Sequence, residues 1–297
     1  MTSRRNALRL LATFCGALAP PLGLGLGHAA SAARVRDRWV TTSDGVRLYV
    51  AEAGPVTGRP ILFVPGWTMP GWIWEAQIQA LAARHRVFAM DPRGQGRSDA
   101  PAAGYEPIRR GKDIADAIKT LSSTPVLVVG WSLGVLDTLA YVHTHGDRMI
   151  AGLVLVDNSV GEEPAPVAAP PSKTAPSNMP HAERMRRFVH GMFRQPKSAA
   201  WLDRLVHDCL RTPEAASKAL LAYPLPRAYW KEAVYATGRP LLYVVRPRWA
   251  AQAENLVRNR PATEIEIFND AGHALFVDEP GRFNALLDSF VRRRVWL

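Results

Sequence analysis

Short apolar runs alternate with stretches of helical periodicity along most of the chain. Runs that are apolar on both faces and bounded by turns are typical of strands in the middle of a parallel sheet. The predicted buried strands are Ile61–Val64, Val87–Met90, Val126–Val129, Leu153–Val156, Pro240–Val245 and Thr263–Phe268. The alternation predicts an α/β fold with a mostly parallel, doubly wound sheet covered by helices on both sides.

A hairpin precedes these runs. Val40–Val50 reads as two strands around Asp44-Gly45, and an Asp-Gly pair between apolar stretches is a strong hairpin signal.

The segments between the predicted strands, and the segment after the last one, include stretches with the apolar spacing of helices. The predicted core helices are Trp74–Arg84, one carrying Ile114, Ile118 and Leu121, Val135–His143 and Pro280–Val295.

The pattern is interrupted between 159 and 236. Ser159–Pro180 is rich in Pro and Ala, and a segment of this composition has no regular structure. Four helical stretches follow before the strands resume. They are predicted at 181–194, 198–210, 213–222 and 226–236. The sequence therefore predicts a core formed by 33–158 and 237–297, with a helical cap at 159–236 that has a Pro-rich lead-in.

Residues 1–32 differ from the rest. They contain three arginines, no acidic residue, and an apolar run from Leu8 to Leu26 that Pro and Gly interrupt. The segment resembles a twin-arginine export signal, and Ala30-Ser31-Ala32 offers small residues for cleavage before Ala33. The alternative is a membrane anchor, but no apolar span of about 18 residues is left uninterrupted. We predict a cleavable signal read by the export machinery, and export to the bacterial periplasm or beyond.

Composition narrows the function classes. With 297 residues and 47% hydrophobic content, the chain can form one large domain with an insert. Its net charge of +11 is scattered in short arginine clusters without interleaved aromatic residues, so nucleic-acid binding is not expected. No His/Glu ligand cluster or Cys-x-x-Cys motif indicates a metal or another cofactor, and we expect none.

The sequence Gly130-Trp131-Ser132-Leu133-Gly134 fits Gly-x-Ser-x-Gly and follows a predicted strand and precedes a predicted helix. In this context the glycines permit a strained turn that exposes the serine hydroxyl at a helix N-terminus. Ser132 is therefore the predicted nucleophile. His273 follows the last predicted strand, while the other histidines of the core and cap are explained by packing or surface positions, so His273 is the predicted general base.

These features resemble the α/β-hydrolase family of serine hydrolases, such as esterases and lipases. The resemblance also rests on Val64-Pro65-Gly66-Trp67, on Asp91–Ser98 and on Gly272-His273 before Glu279-Pro280. It implies an oxyanion hole made by the backbone N–H groups of Trp67 and Leu133.

The triad acid departs from the family pattern. The family usually places it after the seventh strand, where this chain has Arg246-Pro247-Arg248-Trp249. Some relatives place it after the sixth strand, which here ends in Asp157, so Asp157 is the predicted acid. Asp270 is the competing candidate, although a role in shaping the histidine loop is simpler. Asp137 lies in the helix after Ser132, and we expect it to pair with an arginine.

The predicted reaction is ester hydrolysis through an acyl-enzyme. The predicted substrate is a small-molecule ester, a class in which we include lactones and aryl esters. Peracid formation of the haloperoxidase type and amide or peptide cleavage use the same triad and stay open. A non-catalytic ligand-binding protein is the alternative of another class. Apolar side chains near the nucleophile are predicted to line the substrate pocket: Met69, Trp72, Trp131, Phe188 and Met192.

Overall fold

The computed structural model describes residues 33–166 and 179–297. The predicted export signal at 1–32 and part of the predicted Pro-rich lead-in lie outside the described residues. The described chain from Ala33 to Leu297 forms one compact unit.

Eight strands form a single sheet. They are β1 (Arg36–Thr41), β2 (Arg47–Ala53), β3 (Arg59–Val64), β4 (His85–Met90), β5 (Val126–Trp131), β6 (Ile150–Val156), β7 (Leu241–Val245) and β8 (Thr263–Ile267). Their order is β1-β2-β4-β3-β5-β6-β7-β8. Strand β2 is antiparallel to β1 and β4, and every pairing from β4 to β8 is parallel. The predicted fold class is confirmed, and the hairpin turns at Asp44-Gly45.

Ten α-helices connect the strands in the described ranges. They are α1 (Glu75–Leu81), α2 (Pro107–Leu121), α3 (Leu133–His145), α4 (His181–His190), α5 (Ala199–Cys209), α6 (Glu214–Leu220), α7 (Arg227–Ala236), α8 (Ala250–Asn259), α9 (Leu275–Asp278) and α10 (Pro280–Phe290). Helix α8 was not predicted from the sequence. The predicted helix from Pro280 to Val295 ends at Phe290, and a π-helical turn continues it over Val291–Val295.

The helices cover the sheet on both faces. One apolar cluster joins the sheet to α2, α3, α6, α7 and α8, and the other joins it to α1, α4, α5, α9 and α10. Strand β5 is buried along its whole length because it lies at the centre of both clusters. Parallel strands with covered faces must be apolar throughout, which explains why their runs were visible in the sequence.

The helices between β6 and β7 do not form a separate body. Helices α4 and α5 pack in one core cluster, while α6 and α7 pack in the other. Helix α7 lies against α3, so it serves as the crossover helix that parallel strands require. Within the described residues, no helix has the length and hydropathy needed to cross a membrane.

Candidate active site

Ser132 lies at the turn between β5 and α3. Its backbone has φ 54° and ψ −118°, a conformation that costs a non-glycine residue energy and persists only where neighbours enforce it. A Cβ on Gly130 would overlap the Gly134 carbonyl, and one on Gly134 would overlap the Val64 carbonyl. The two glycines of the motif therefore allow the turn to close beneath Ser132.

Three side chains meet at this turn. The Ser132 Oγ lies 2.8 Å from His273 Nε2, and His273 Nδ1 lies 2.7 Å from Asp157 Oδ2. The Asp157 side chain is fully buried, while His273 is partly exposed. This is the geometry in which a carboxylate orients a histidine that in turn contacts a nucleophile. The competing acid, Asp270, is exposed and makes none of these contacts.

Asp157 also accepts two hydrogen bonds from Arg246. The backbone N–H of Arg246 donates to Oδ1 at 3.0 Å, and its Nε donates to Oδ2 at 2.6 Å. A guanidinium nitrogen lies 3.4 Å from His273 Nδ1. Arg246 directly follows β7, the position at which the family usually carries the triad acid. An arginine there contacts the acid that follows the neighbouring strand.

The residues of the predicted oxyanion donors, Trp67 and Leu133, both line the cavity at Ser132. In the described part of the chain, neither backbone N–H donates to another protein group. For Leu133 the reason is general, since the first N–H groups of a helix have no intrahelical acceptor.

Gln95 holds the loop that carries Trp67. Its Oε1 accepts from the N–H of Thr68 at 2.8 Å, and its Nε2 donates to the carbonyls of Gly66 and Met69 at 3.1 Å each. Thr68 has φ 61°, so the loop needs this support. The sequence predicted no function for Gln95, and its place between Gly94 and Gly96 is the only local signal that it carries.

The His273 loop is held from two sides. Trp131 Nε1 donates to the carbonyl of His273 at 2.9 Å, and the buried carboxylate of Asp278 accepts from the N–H of Gly272 at 2.7 Å. Asn158 Nδ2 donates to the Ser132 carbonyl at 2.9 Å. These contacts fix the relative positions of Ser132 and His273.

A cavity of about 500 Å³ opens above Ser132 and His273. Its size suits a small organic ligand. Apolar and aromatic side chains form much of its wall, together with three arginines. The lining residues beyond the three contacting side chains include Leu136, Pro166, Leu221, Tyr223, Leu225, Trp230, Trp249, Arg227, Arg246 and Arg248.

None of the five predicted pocket residues is among the side chains that line this cavity, and the prediction is corrected on this point. Met69, Trp131 and Met192 are buried in one of the two core clusters. Trp72 points to a second cavity and donates to Asp208 at 2.7 Å. Phe188 packs edge-on against Trp67, with ring centroids 5.0 Å apart, and so lies behind the cavity wall.

Asp137 has the arginine partner that the sequence predicted. Its Oδ1 accepts from Arg110 Nε at 2.8 Å, and both side chains are buried. Burial raises the pKa of Asp137 to about 6, against the opposing effect of Arg110. Neither residue lines the Ser132 cavity.

The described residues contain no group of three or more His, Cys, Asp or Glu side chains arranged to hold a metal ion. Cys209 is buried, and burial raises the pKa of its thiol to about 12. At neutral pH this thiol is therefore protonated and is not a competing nucleophile.

Comparison with known proteins identifies the family. Residues 61–286 match the model of the alpha/beta hydrolase family, and the chain belongs to this family. A non-heme haloperoxidase of Rhodococcus erythropolis is 35% identical over 119 residues, which cover 40% of this chain and 43% of that protein. A bifunctional esterase/perhydrolase of Acinetobacter calcoaceticus is 32% identical over 119 residues, covering 40% and 43%. The alignments to both relatives thus span less than half of their length.

Solved structures extend the likeness to nearly the whole described chain. A Burkholderia cenocepacia protein provisionally assigned as an aryl esterase has a TM-score of 0.76 and 30% identity. The alignment covers 86% of this chain and 98% of that protein. The family and this neighbour support a hydrolase.

Proposed function

We propose that the protein is a serine hydrolase that cleaves carboxylic esters through an acyl-enzyme. The observation that carries the proposal is the continuous contact from Ser132 through His273 to Asp157 at the floor of a cavity of about 500 Å³. The aryl esterase assignment of the neighbour at 30% identity supports the same bond type.

The reaction begins at the contact between the serine and the histidine. His273 Nε2 takes the proton of the Ser132 hydroxyl as its oxygen attacks the ester carbonyl, and Asp157 stabilises the imidazolium that forms. The alcohol leaves with the proton from His273. Water then attacks the acyl-enzyme by the same route and releases the acid and the free serine.

The oxyanion is stabilised by fixed backbone donors. As the carbonyl carbon becomes tetrahedral, its oxygen gains negative charge, and the N–H groups of Trp67 and Leu133 are the proposed donors. Removal of one such donor costs about 3 kcal/mol in enzymes where this was measured. Gln95 contributes indirectly, because it holds the loop that carries Trp67.

A second activity uses the same acyl-enzyme. The haloperoxidase and esterase/perhydrolase relatives support perhydrolysis, in which hydrogen peroxide replaces water as the attacking group and a peracid is released. The two reactions share every step up to the acyl-enzyme. They are separated by measuring acid and peracid from one ester at increasing peroxide concentration.

The test is the initial rate of the full chain on 4-nitrophenyl esters of graded acyl length, with Ser132→Ala alongside. We expect the variant to lose at least about 10⁴-fold in kcat, because the nucleophile acts as a unit with its base. Ser159→Ala is the matched control, since Ser159 lines the same cavity without contacting His273, and it should retain most of the activity. Labelling by a fluorophosphonate should add mass to the peptide containing Ser132.

Turnover that survives in Ser132→Ala would contradict the proposal. Binding of esters without any turnover would favour the non-catalytic ligand-binding alternative.

We also propose that residues 1–32 direct export, which fractionation of cells that express the full chain and an Arg4→Lys/Arg5→Lys variant would test.

A further inference from the structure

The charges that line the Ser132 cavity are unbalanced. Three arginines, Arg227, Arg246 and Arg248, face it, and Asp157 is the acidic residue among its lining side chains. A second cavity of about 390 Å³ in the same protein also has three arginines, but these are accompanied by Glu75, Asp91 and Asp208. The excess of positive charge in the Ser132 cavity is therefore not shared by the second cavity.

Two of the three arginines already have carboxylate partners. Arg246 donates to Asp157, as described above. Arg227 lies 3.2 Å from Glu163 and also donates to the carbonyls of Gly161 and Glu162. Both guanidinium groups are held by the protein, so their charge is largely compensated.

Arg248 differs from both. Its side chain is exposed at the cavity and makes no hydrogen bond or ion pair with any of the described residues. The stretches 1–32 and 167–178 contain no Asp or Glu, so they supply no carboxylate either. The guanidinium lies over the Trp249 ring, 4.9 Å from its centroid. Stacking on an aromatic face restrains a guanidinium and leaves its N–H edge free to bind.

We propose that Arg248 binds a carboxylate of the substrate, so that the enzyme prefers esters that carry an anionic group away from the scissile bond. The inference rests on the proposed ester hydrolysis and specifies its substrate class. A planar guanidinium binds a carboxylate with two parallel hydrogen bonds. The cavity wall also contains apolar side chains such as Leu221 and Leu225, which suit an aliphatic or aryl spacer.

The experiment compares pairs of esters in which a free carboxylate is replaced by its neutral methyl ester. On the acyl side, the 4-nitrophenyl monoester of adipic acid is compared with 4-nitrophenyl methyl adipate. On the alcohol side, 4-acetoxybenzoate is compared with methyl 4-acetoxybenzoate. The enzymes are the full chain, Arg248→Gln, Arg248→Lys, and Arg211→Gln as control. Arg211 is also exposed and without a side-chain partner among the described residues, but it lines the second cavity.

We expect wild type to prefer the anionic member of at least one pair, and Arg248→Gln to lose about tenfold in kcat/KM on it, mainly through KM. The kcat/KM of Arg248→Gln on the neutral ester should change by less than about twofold. On the anionic ester, Arg248→Lys should have a kcat/KM between those of wild type and Arg248→Gln, because lysine keeps the positive charge but lacks the planar guanidinium with two parallel N–H donors. The preference should weaken between about 0.01 M and 0.5 M salt, since exposed charges are screened.

Equal losses on the charged and neutral esters would overturn the inference, as would the same loss in Arg211→Gln or no preference in wild type. Turnover of neutral esters without an anionic preference rejects the inference and leaves the proposed function intact. Absence of turnover of any ester rejects the proposed function instead. In that event, calorimetry of monomethyl adipate with Ser132→Ala and Ser132→Ala/Arg248→Gln tests the carboxylate site alone, and equal affinities reject it.

Discussion

Asp137 and Asp157 both accept a hydrogen bond from an arginine Nε, and the surroundings of these two pairs differ. Asp137 and Arg110 join α3 to α2, with side chains only 4% and 1% exposed. The Arg110 guanidinium also donates to the carbonyls of Tyr105 and Leu220, at 2.7 and 2.9 Å. Protein groups thus surround this pair on all sides.

The second pair is open to the cavity. Arg246 is 27% exposed, and Asp157 shares one carboxylate oxygen between the Arg246 Nε and His273 Nδ1. Nearly identical bond chemistry therefore has two consequences. The closed pair, Asp137 and Arg110, contributes to the packing of α3 against α2. The open pair, Asp157 and Arg246, lies beside His273, whose Nδ1 contacts Asp157. Burial and the third partner, more than the ion pair itself, distinguish the two sites.

The largest expected effect on kcat comes from a substitution in the open pair of Asp157 and Arg246. Asp157→Asn should lower kcat by about 10⁴-fold, because a neutral amide cannot hold the histidine in the required tautomer or stabilise an imidazolium. The size of the side chain is kept, so the midpoint of thermal unfolding should change little. Steady-state kinetics and calorimetry of the same preparation measure both quantities. A loss of activity below tenfold would remove Asp157 from the proposed triad.

Breaking the closed pair of Asp137 and Arg110 should lower the free energy of unfolding and leave kcat nearly unchanged. Arg110→Met leaves Asp137 buried without its guanidinium, which costs about 3 kcal/mol of the free energy of unfolding. The kcat of the folded fraction should stay near wild type, since the pair does not line the cavity. Urea unfolding followed by circular dichroism measures the loss. An equal loss of stability in Arg246→Gln would contradict the distinction between the pairs.

The closed pair also predicts a pH dependence. The pKa of Asp137 is about 6 in the folded protein, above its ordinary value of 3.8, so the folded state binds this proton more tightly than the unfolded chain. The stabilisation of the folded state by this proton is fully present below pH 3.8 and is lost as the pH rises through about 6. Without Arg110 the pKa of Asp137 rises further and the loss continues to higher pH. The stability deficit of Arg110→Met should therefore be larger at pH 8 than at pH 5.

A smaller effect is expected for Arg246→Gln. Asp157 keeps its hydrogen bonds to His273 and to the Arg246 backbone N–H, and loses only the donor from Nε, so we expect about a tenfold reduction in kcat. Charged and neutral esters should be affected alike, unlike in Arg248→Gln. Kinetics on the same ester pairs would show this. Activity unchanged within about twofold would mean that Arg246 does not contribute to the position of Asp157.

The smallest effect is expected at the alternative acid. Asp270 is exposed and three residues from His273, without contact to it. Asp270→Asn should change kcat and the midpoint of unfolding by little, as exposed substitutions outside special contacts usually do. A loss comparable to that of Asp157→Asn would reverse the assignment of the acid.

The sheet and the Ser132 turn were predictable because their signals are local. Strands buried on both faces are apolar over their length, and the elbow combines two glycines with a strand and a helix within one short segment. Asp157 required the resemblance to a family. The structure brings Ser132, His273 and Asp157 into contact as expected, and their catalytic roles are predictions that the experiments above test.

Other parts of the site had no local signal. The functions of Gln95 and Arg246 depend on contacts with residues distant in sequence, which no spacing shows. The five predicted pocket residues were chosen for their apolar character, but a sequence does not tell on which side of a loop or helix a Trp or Met points. Helix α8 was not predicted, and its buried face consists of Gln252, Ala253 and Leu256, of which only Leu256 is a large apolar residue.

The chain leaves the sheet just after Asp157 and returns to it at β7 through α7. Because α7 alone completes the parallel crossover, the segment carrying α4, α5 and α6 is an excursion that the topology of the sheet does not require. Sequence changes in this segment would alter the part of the cavity wall formed by Leu221, Tyr223 and Leu225, while Ser132, Asp157 and His273 stay in the loops that follow β5, β6 and β8, so substrate preference would change without a change in the proposed reacting groups.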